Sequence, residues 1–105
     1  MRDFIDARDA GAAFAALLAS EVTGAVNIAT GEPHSVAEVA LTLGRLTGRP
    51  ELVRLGALPD RLDDPPYLVA DTSRLRKEVG YSPAIGFERM LVDALEWWRR
   101  EAAPA

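Results

Sequence analysis

The amino-acid sequence predicts an α/β fold, a small and mainly parallel sheet packed with three to four helices. Two observations carry this prediction. The apolar runs 25–30 and 52–55 flank a capped amphipathic helix at 36–47, which is the order strand, helix, strand. Short connections around such a unit make its strands parallel neighbours, because a parallel pair needs a crossover and the crossover is a helix. The chain's 105 residues suffice for one small domain and one core, so residues 1–105 are read as a single unit.

Each element has its own signal. Arg2 to Ile5 is a short strand candidate. An alanine-rich segment follows, read as a helix over 8–20, with Ala10, Phe14, Leu17 and Leu18 at helical spacing on an inward face. Thr23-Gly24 breaks it. The continuous apolar run Ala25 to Thr30, closed by Gly31-Glu32-Pro33, suits a strand covered on both faces. Ser35-Val36-Ala37-Glu38 matches a capping box, in which the hydroxyl and the carboxylate reciprocally satisfy free amides at a helix start. That helix turns Val36, Val39, Ala40 and Leu43 inward and stops at Gly48. Leu52 to Leu55 is the next strand candidate. Residues 56–70, punctuated by Gly56, Pro59, Pro65 and Pro66, form the longest irregular stretch, and long loops in small domains are commonly functional. Asp71-Thr72-Ser73 offers caps for a short helix over 73–79, ended by Gly80. The last helix, 87–100, carries Phe87, Leu91, Ala94, Leu95 and Trp98 on one stripe.

Composition narrows the function classes. Hydrophobic residues make up 49% of the chain and charged residues 27%, the balance of a globular protein. No apolar run approaches the roughly 20 residues that span a bilayer, and no basic segment leads into an apolar one as in an export signal. A cytoplasmic protein that meets no membrane is the expectation. The absence of cysteine excludes disulfides, thiolate zinc sites and a cysteine nucleophile, and a lone histidine makes metal chemistry a poor guess. A net charge of −4 and a pI near 4.9 argue against nucleic acid as partner.

No catalytic constellation emerges from the residues. Ser35 is better explained as a helix cap than as a nucleophile, and His34 as an exposed loop residue. No Gly-x-Gly-x-x-Gly phosphate loop occurs. What remains is a set of arginines in irregular or strand-edge positions, Arg2, Arg54 and Arg61, with Asp64 three residues after Arg61. Guanidinium forks match phosphate oxygens, and a nearby carboxylate can accept from a ribose or sugar hydroxyl. The plain alternative is a solvated surface pair contributing under about 1 kcal/mol.

Three stretches together resemble one family. Arg2-Asp3-Phe4-Ile5 with Asp9 is similar to its Arg-Asp-Phe/Tyr-Ile-x-Val-x-Asp segment, and Val26-Asn27-Ile28-Ala29-Thr30-Gly31 to its Tyr-Asn-Ile/Leu-Gly-x-Gly. Arg61-x-x-Asp64 followed by Ala70-Asp71-Thr72-Ser73-Arg74 is similar to its Arg-x-x-Asp and Ala-Asp-Thr/Ser-Ser-Lys/Arg. Gly80-Tyr81-x-Pro83, Phe87 and a tryptophan-bearing last helix resemble its ending. The family is the extended short-chain dehydrogenases, which include the nucleotide-sugar epimerases and 4,6-dehydratases.

The resemblance implies that the chain is the C-terminal substrate-binding lobe of such an enzyme, without the Rossmann domain. It places Arg2 and Arg61 on the diphosphate of a nucleotide sugar, Asp64 at the ribose hydroxyls and Phe4 beside the nucleotide. Asn27, Gly31, Asp9 and Asp71 fall on structural positions. Ala7 stands where the family has valine, and the segment before Arg61 lacks an arginine seen in some members. The family's NAD or NADP sits on a Gly-x-x-Gly-x-x-Gly turn and its base is the tyrosine of Tyr-x-x-x-Lys. This chain has neither, since Tyr67 is followed at that spacing by Asp71 and Tyr81 by Ile85. No cofactor in this chain and no turnover by it alone are therefore expected. Met1 directly before the motif suggests an excised piece or a partial gene product. A face uncovered by loss of the other domain should favour a homo-oligomer. The alternatives are a non-catalytic protein-interaction module, or a lobe of an extended reductase with a sugar-free substrate.

Overall fold

Helices carry the architecture, and the predicted sheet is replaced by a two-stranded antiparallel ribbon. The computed structural model describes residues 1–59 and 61–103. In chain order the elements are β1 (Arg2–Asp3), α1 (Ala7–Ala19), β2 (Pro33–His34), α2 (Val36–Thr47) and α3 (Phe87–Ala102). A 3₁₀ turn, Pro50–Leu52, follows α2, and a π-helical segment, Leu75–Val79, precedes α3. β1 pairs with β2 through Arg2 opposite His34 and Asp3 opposite Pro33, and Arg2 also forms a parallel bridge to Leu68.

The helices form where local signals place them. Asp6 caps α1 by accepting from the Arg8 amide at 2.8 Å. Both halves of the capping box are present on α2: the Glu38 amide donates to Ser35 Oγ at 3.0 Å, and the Ser35 amide to Glu38 Oε1 at 3.1 Å. Gly48 ends α2 with φ +73°, a left-handed conformation in which a side chain would be strained.

The α/β expectation is overturned because neither parallel strand forms. Segment 25–30 has no strand partner among the described residues, and side chains bond the backbone at its two ends instead. Arg74 donates to the carbonyls of Thr23 at 2.8 Å and Ala25 at 2.9 Å, and Arg76 donates to that of Thr30 at 2.7 Å. Asp3 accepts from the amides of Thr30 and Gly31 at 2.9 and 2.8 Å. Backbone groups drawn out of water must pair somewhere, and at the two ends of this segment arginine and aspartate take the place of a ladder. Segment 52–55 is diverted by Pro50, whose carbonyl accepts from the Val53 amide and closes the 3₁₀ turn against α2.

The core is thin. Among the described residues the buried hydrophobic side chains are Ala13, Ala29, Leu75 and Leu91. The molecule is a slab 18 Å across its shortest axis, less than two helix diameters of about 10–12 Å. A layer this thin cannot cover every apolar stripe. Phe14, Leu18, Val36 and Trp98, all predicted to point inward, are exposed, and the inner face of α1 is Asp9 and Ala13. Among the described residues no helix is long and apolar enough to cross a membrane.

Candidate functional site

The predicted arginines Arg2 and Arg61 meet at one cleft, and backbone pairing is what brings them there. Because Arg2 lies between His34 of β2 and Leu68, the segment carrying residues 64–68 runs beside β1. The Arg2 guanidinium then reaches across. Its Nη1 donates to the carbonyls of Met1 and Pro65, both at 2.8 Å, and its Nη2 forms an ion pair with Asp64 Oδ1. Arg2, Arg61, Asp64, Val36, Met1 and the Pro65-Pro66 pair line a cleft of about 350 Å³.

The electrostatics of the cleft are those of two cations and one carboxylate. Asp64 already neutralises Arg2, so an incoming dianion would exchange with that carboxylate and draw on Arg61 as the second cation. The pair is partly exposed, and such pairs contribute under about 1 kcal/mol, so displacing Asp64 is inexpensive. Asp64, paired with Arg2, is the one lining side chain of a type that serves as general base or nucleophile. The arrangement can bind and orient an anion.

Two further predicted residues are elsewhere. Phe4 does not line the cleft: its ring centroid is 6.3 Å from that of Phe87, which in turn stacks on His34 at 3.8 Å with the planes 4° apart. Phe4 thus joins an aromatic stack between β1, β2 and α3. Arg54 lines a separate apolar hollow with Leu43, Val53 and Leu55 beside α2. Sequence reading missed Val36 and Pro65-Pro66 as parts of the cleft. The double proline was the available signal, since it fixes an extended path for the segment that follows Asp64.

The residues read as structural make local hydrogen bonds. Asn27 Nδ2 donates to the Asp71 carbonyl at 3.2 Å, and Asp71 Oδ1 accepts from the Ser73 amide at 2.9 Å, capping the turn before Leu75. Asp9 is buried and accepts from Tyr81 Oη at 2.6 Å and from the amides of Ala84 and Ile85 at 3.0 and 2.8 Å. Burial alone would raise the Asp9 carboxyl, but these three donors outweigh it and hold it below the usual carboxylate range. The same balance, set by Thr30, Gly31 and Ala70, depresses Asp3.

A larger groove of about 620 Å³ runs between the start of α1 and α3. Three of its charges serve each other: Arg8 donates to Asp6 at 2.9 Å and to Asp93 at 2.8 Å, tying α1 to α3. Among the described residues no three acidic or histidine side chains converge to hold a metal ion. Protein families, curated proteins and solved structures give no match to this chain.

Proposed function

We propose that this chain is the part of an NAD- or NADP-dependent nucleotide-sugar epimerase or dehydratase that grips the nucleotide diphosphate. One observation carries the reading. Arg2 and Arg61, far apart in sequence, line one cleft together with Asp64. Two guanidinium forks from separate segments can neutralise a dianion that neither would hold alone. Asp64 keeps Arg2 extended into the cleft until the diphosphate displaces it, and then becomes available to the ribose hydroxyls. The chain itself supplies orientation. The nicotinamide cofactor and the proton-transferring tyrosine belong to another domain, because no glycine turn at a helix start is available here. In this reading the enzyme is cytoplasmic.

Sequencing the coding DNA upstream of the Arg2 codon tests the proposal. A Gly-x-x-Gly-x-x-Gly turn followed by Tyr-x-x-x-Lys in the same reading frame is the expected result, and the intact product should turn over a nucleotide sugar. An in-frame domain with neither motif would overturn it. A second reading, a non-catalytic protein-interaction module, draws on the exposed apolar side chains of α1, Phe14 and Leu18. In that case Arg2→Ala and Arg61→Ala would leave every activity of the intact product unchanged.

A further inference from the structure

His34 stands directly opposite Arg2 across the β1–β2 ribbon. Residues so placed in an antiparallel pair project from the same face, with Cβ atoms about 4.5–5.5 Å apart. The ribbon has two residues in each strand, and Pro33, opposite Asp3, has no amide to give it. A pairing this short does not hold its own geometry. β2 therefore takes its place from side-chain contacts, and the side chain that makes them is His34.

The His34 ring is held on two sides. One face lies on Phe87, the first residue of α3, with centroids 3.8 Å apart and planes 4° from parallel. At the ring edge, Nδ1 is 2.9 Å from Glu38 Oε2 in the first turn of α2. An ionised carboxylate only accepts, so Nδ1 carries the proton of this bond. The other oxygen of Glu38 accepts from the Ser35 amide at 3.1 Å. One carboxylate thus locks both the imidazole and the next backbone amide to α2. Val36, which follows, lines the arginine cleft. The His34 side chain is 21% exposed, where the sequence suggested an open loop residue.

We infer, on the diphosphate reading of that cleft, that His34 is a positioning residue for the anion: its stack on Phe87 and its bond to Glu38 set the place of Arg2 across the ribbon and of Val36 two residues along the chain. His34 is not among the residues that line the cleft, so it acts through these two. The other side-chain ties of Arg2 lead to Asp64 and the Pro65 carbonyl. Without the ring, Arg2 would follow that segment, and the gap between Arg2 and Val36 would be free to change. Binding groups work only within a narrow tolerance of their productive geometry, and neighbours that lock their placement keep them there.

Isothermal titration calorimetry with inorganic pyrophosphate at low ionic strength tests the inference, with circular dichroism as the control for folding. The parent chain should bind, and Arg61→Ala should weaken the binding. His34→Ala should raise the dissociation constant about tenfold, since misplacing a positioned group by about 1 Å can cost up to about a hundredfold. His34→Phe, which keeps a ring on Phe87, should recover most of that loss, whereas His34→Leu should not. These two variants keep the bulk of the residue and decide the matter should the alanine chain fail to fold. Tyr81→Phe is the control for a general loss of stability, because Tyr81 and its partner Asp9 lie outside the cleft, and it should leave the constant unchanged. A parent that does not bind pyrophosphate, or an Arg61→Ala chain that binds it equally well, would overturn the diphosphate reading and this inference with it. With that binding in place, an unchanged constant in His34→Ala, a His34→Phe no better than His34→Leu, or a Tyr81→Phe weakened as much as His34→Ala would overturn the role of His34 alone.

Discussion

Asp9 and Tyr81, separated by 72 positions in sequence, share a 2.6 Å hydrogen bond that ties the first turn of α1 to the loop leading into α3. The same carboxylate accepts from the Ala84 and Ile85 amides, so one buried group holds three residues of that loop. With so few buried apolar side chains, a polar clamp of this kind carries an unusual share of the tertiary structure. Tyr81→Phe removes one charge-assisted bond and leaves the amides paired. It should cost about 1.5–3 kcal/mol in urea unfolding. Asp9→Ala strands three donors in a buried setting and should cost more than Tyr81→Phe by at least about 1 kcal/mol.

The acid limb of stability follows from the same groups. Asp3 and Asp9 have carboxyls lowered in the folded state, against an unfolded value of about 3.9. A lowered carboxyl contributes stability that is present above the unfolded value and lost as pH falls through the folded one. Urea midpoints should therefore be flat near neutrality and fall steeply below about pH 4, with a shallower fall in Asp9→Asn. At the alkaline end the sign reverses. Hydrogen bonding to Asp9 pushes the Tyr81 phenol up to about 12, so its contribution is present below about pH 10 and disappears as pH rises toward 12. Tyr81→Phe should remove that alkaline slope.

The helices were legible because their signals are local. Ser35 and Glu38 lie within one turn, and the capping box that they spell is the one that forms. The sheet was not legible for the opposite reason. An apolar run such as Ala25 to Thr30 favours a strand, but whether a neighbour arrives to pair with it depends on the rest of the chain. Here Arg74, Arg76 and Asp3 bond the backbone at the two ends of the run instead. Periodicity likewise turned Phe14 and Leu18 inward, whereas they are exposed and no described residue covers them. At the site, the spacing of Arg61 and Asp64 and the position of Arg2 were readable in the sequence, whereas the turn of Phe4 toward Phe87 depends on where α3 packs.

Gly44 offers a test of how closely α2 is packed. An added Cβ would stand 2.8 Å from Val53 Cγ2 and 3.3 Å from Pro50 Cα, so the 3₁₀ turn would have to move. In an exposed helix interior Gly→Ala gains up to about 1 kcal/mol from propensity. Overpacking commonly costs about 1–3 kcal/mol, so Gly44→Ala should be net destabilising by roughly 1 kcal/mol. Joining it to Val53→Ala, which removes the obstructing methyl groups, should recover part of the loss. A stabilised single variant would show that the 3₁₀ turn yields freely.

Arg61 tests the proposed function most directly, in the intact enzyme to which that reading assigns this chain. The diphosphate of a nucleotide sugar does not change charge while the sugar ring is oxidised, so the arginines bind it alike in the ground and transition states. Losing such a contact raises KM and leaves kcat in place. A charge-assisted bond contributes about 1.5–3 kcal/mol, which corresponds to a KM increase for Arg61→Ala of roughly tenfold to a hundredfold. Arg61→Lys keeps the charge but not the planar fork and should fall between the two. Phe4→Leu supplies the structural control. The Phe4 ring packs toward Phe87 and lies outside the cleft, so this substitution should lower the melting temperature and leave KM unchanged. Steady-state kinetics on the three variants reads all of these outcomes. A fall in kcat with KM unchanged in Arg61→Ala would take Arg61 out of the diphosphate site, and a raised KM in Phe4→Leu would put Phe4 back into it.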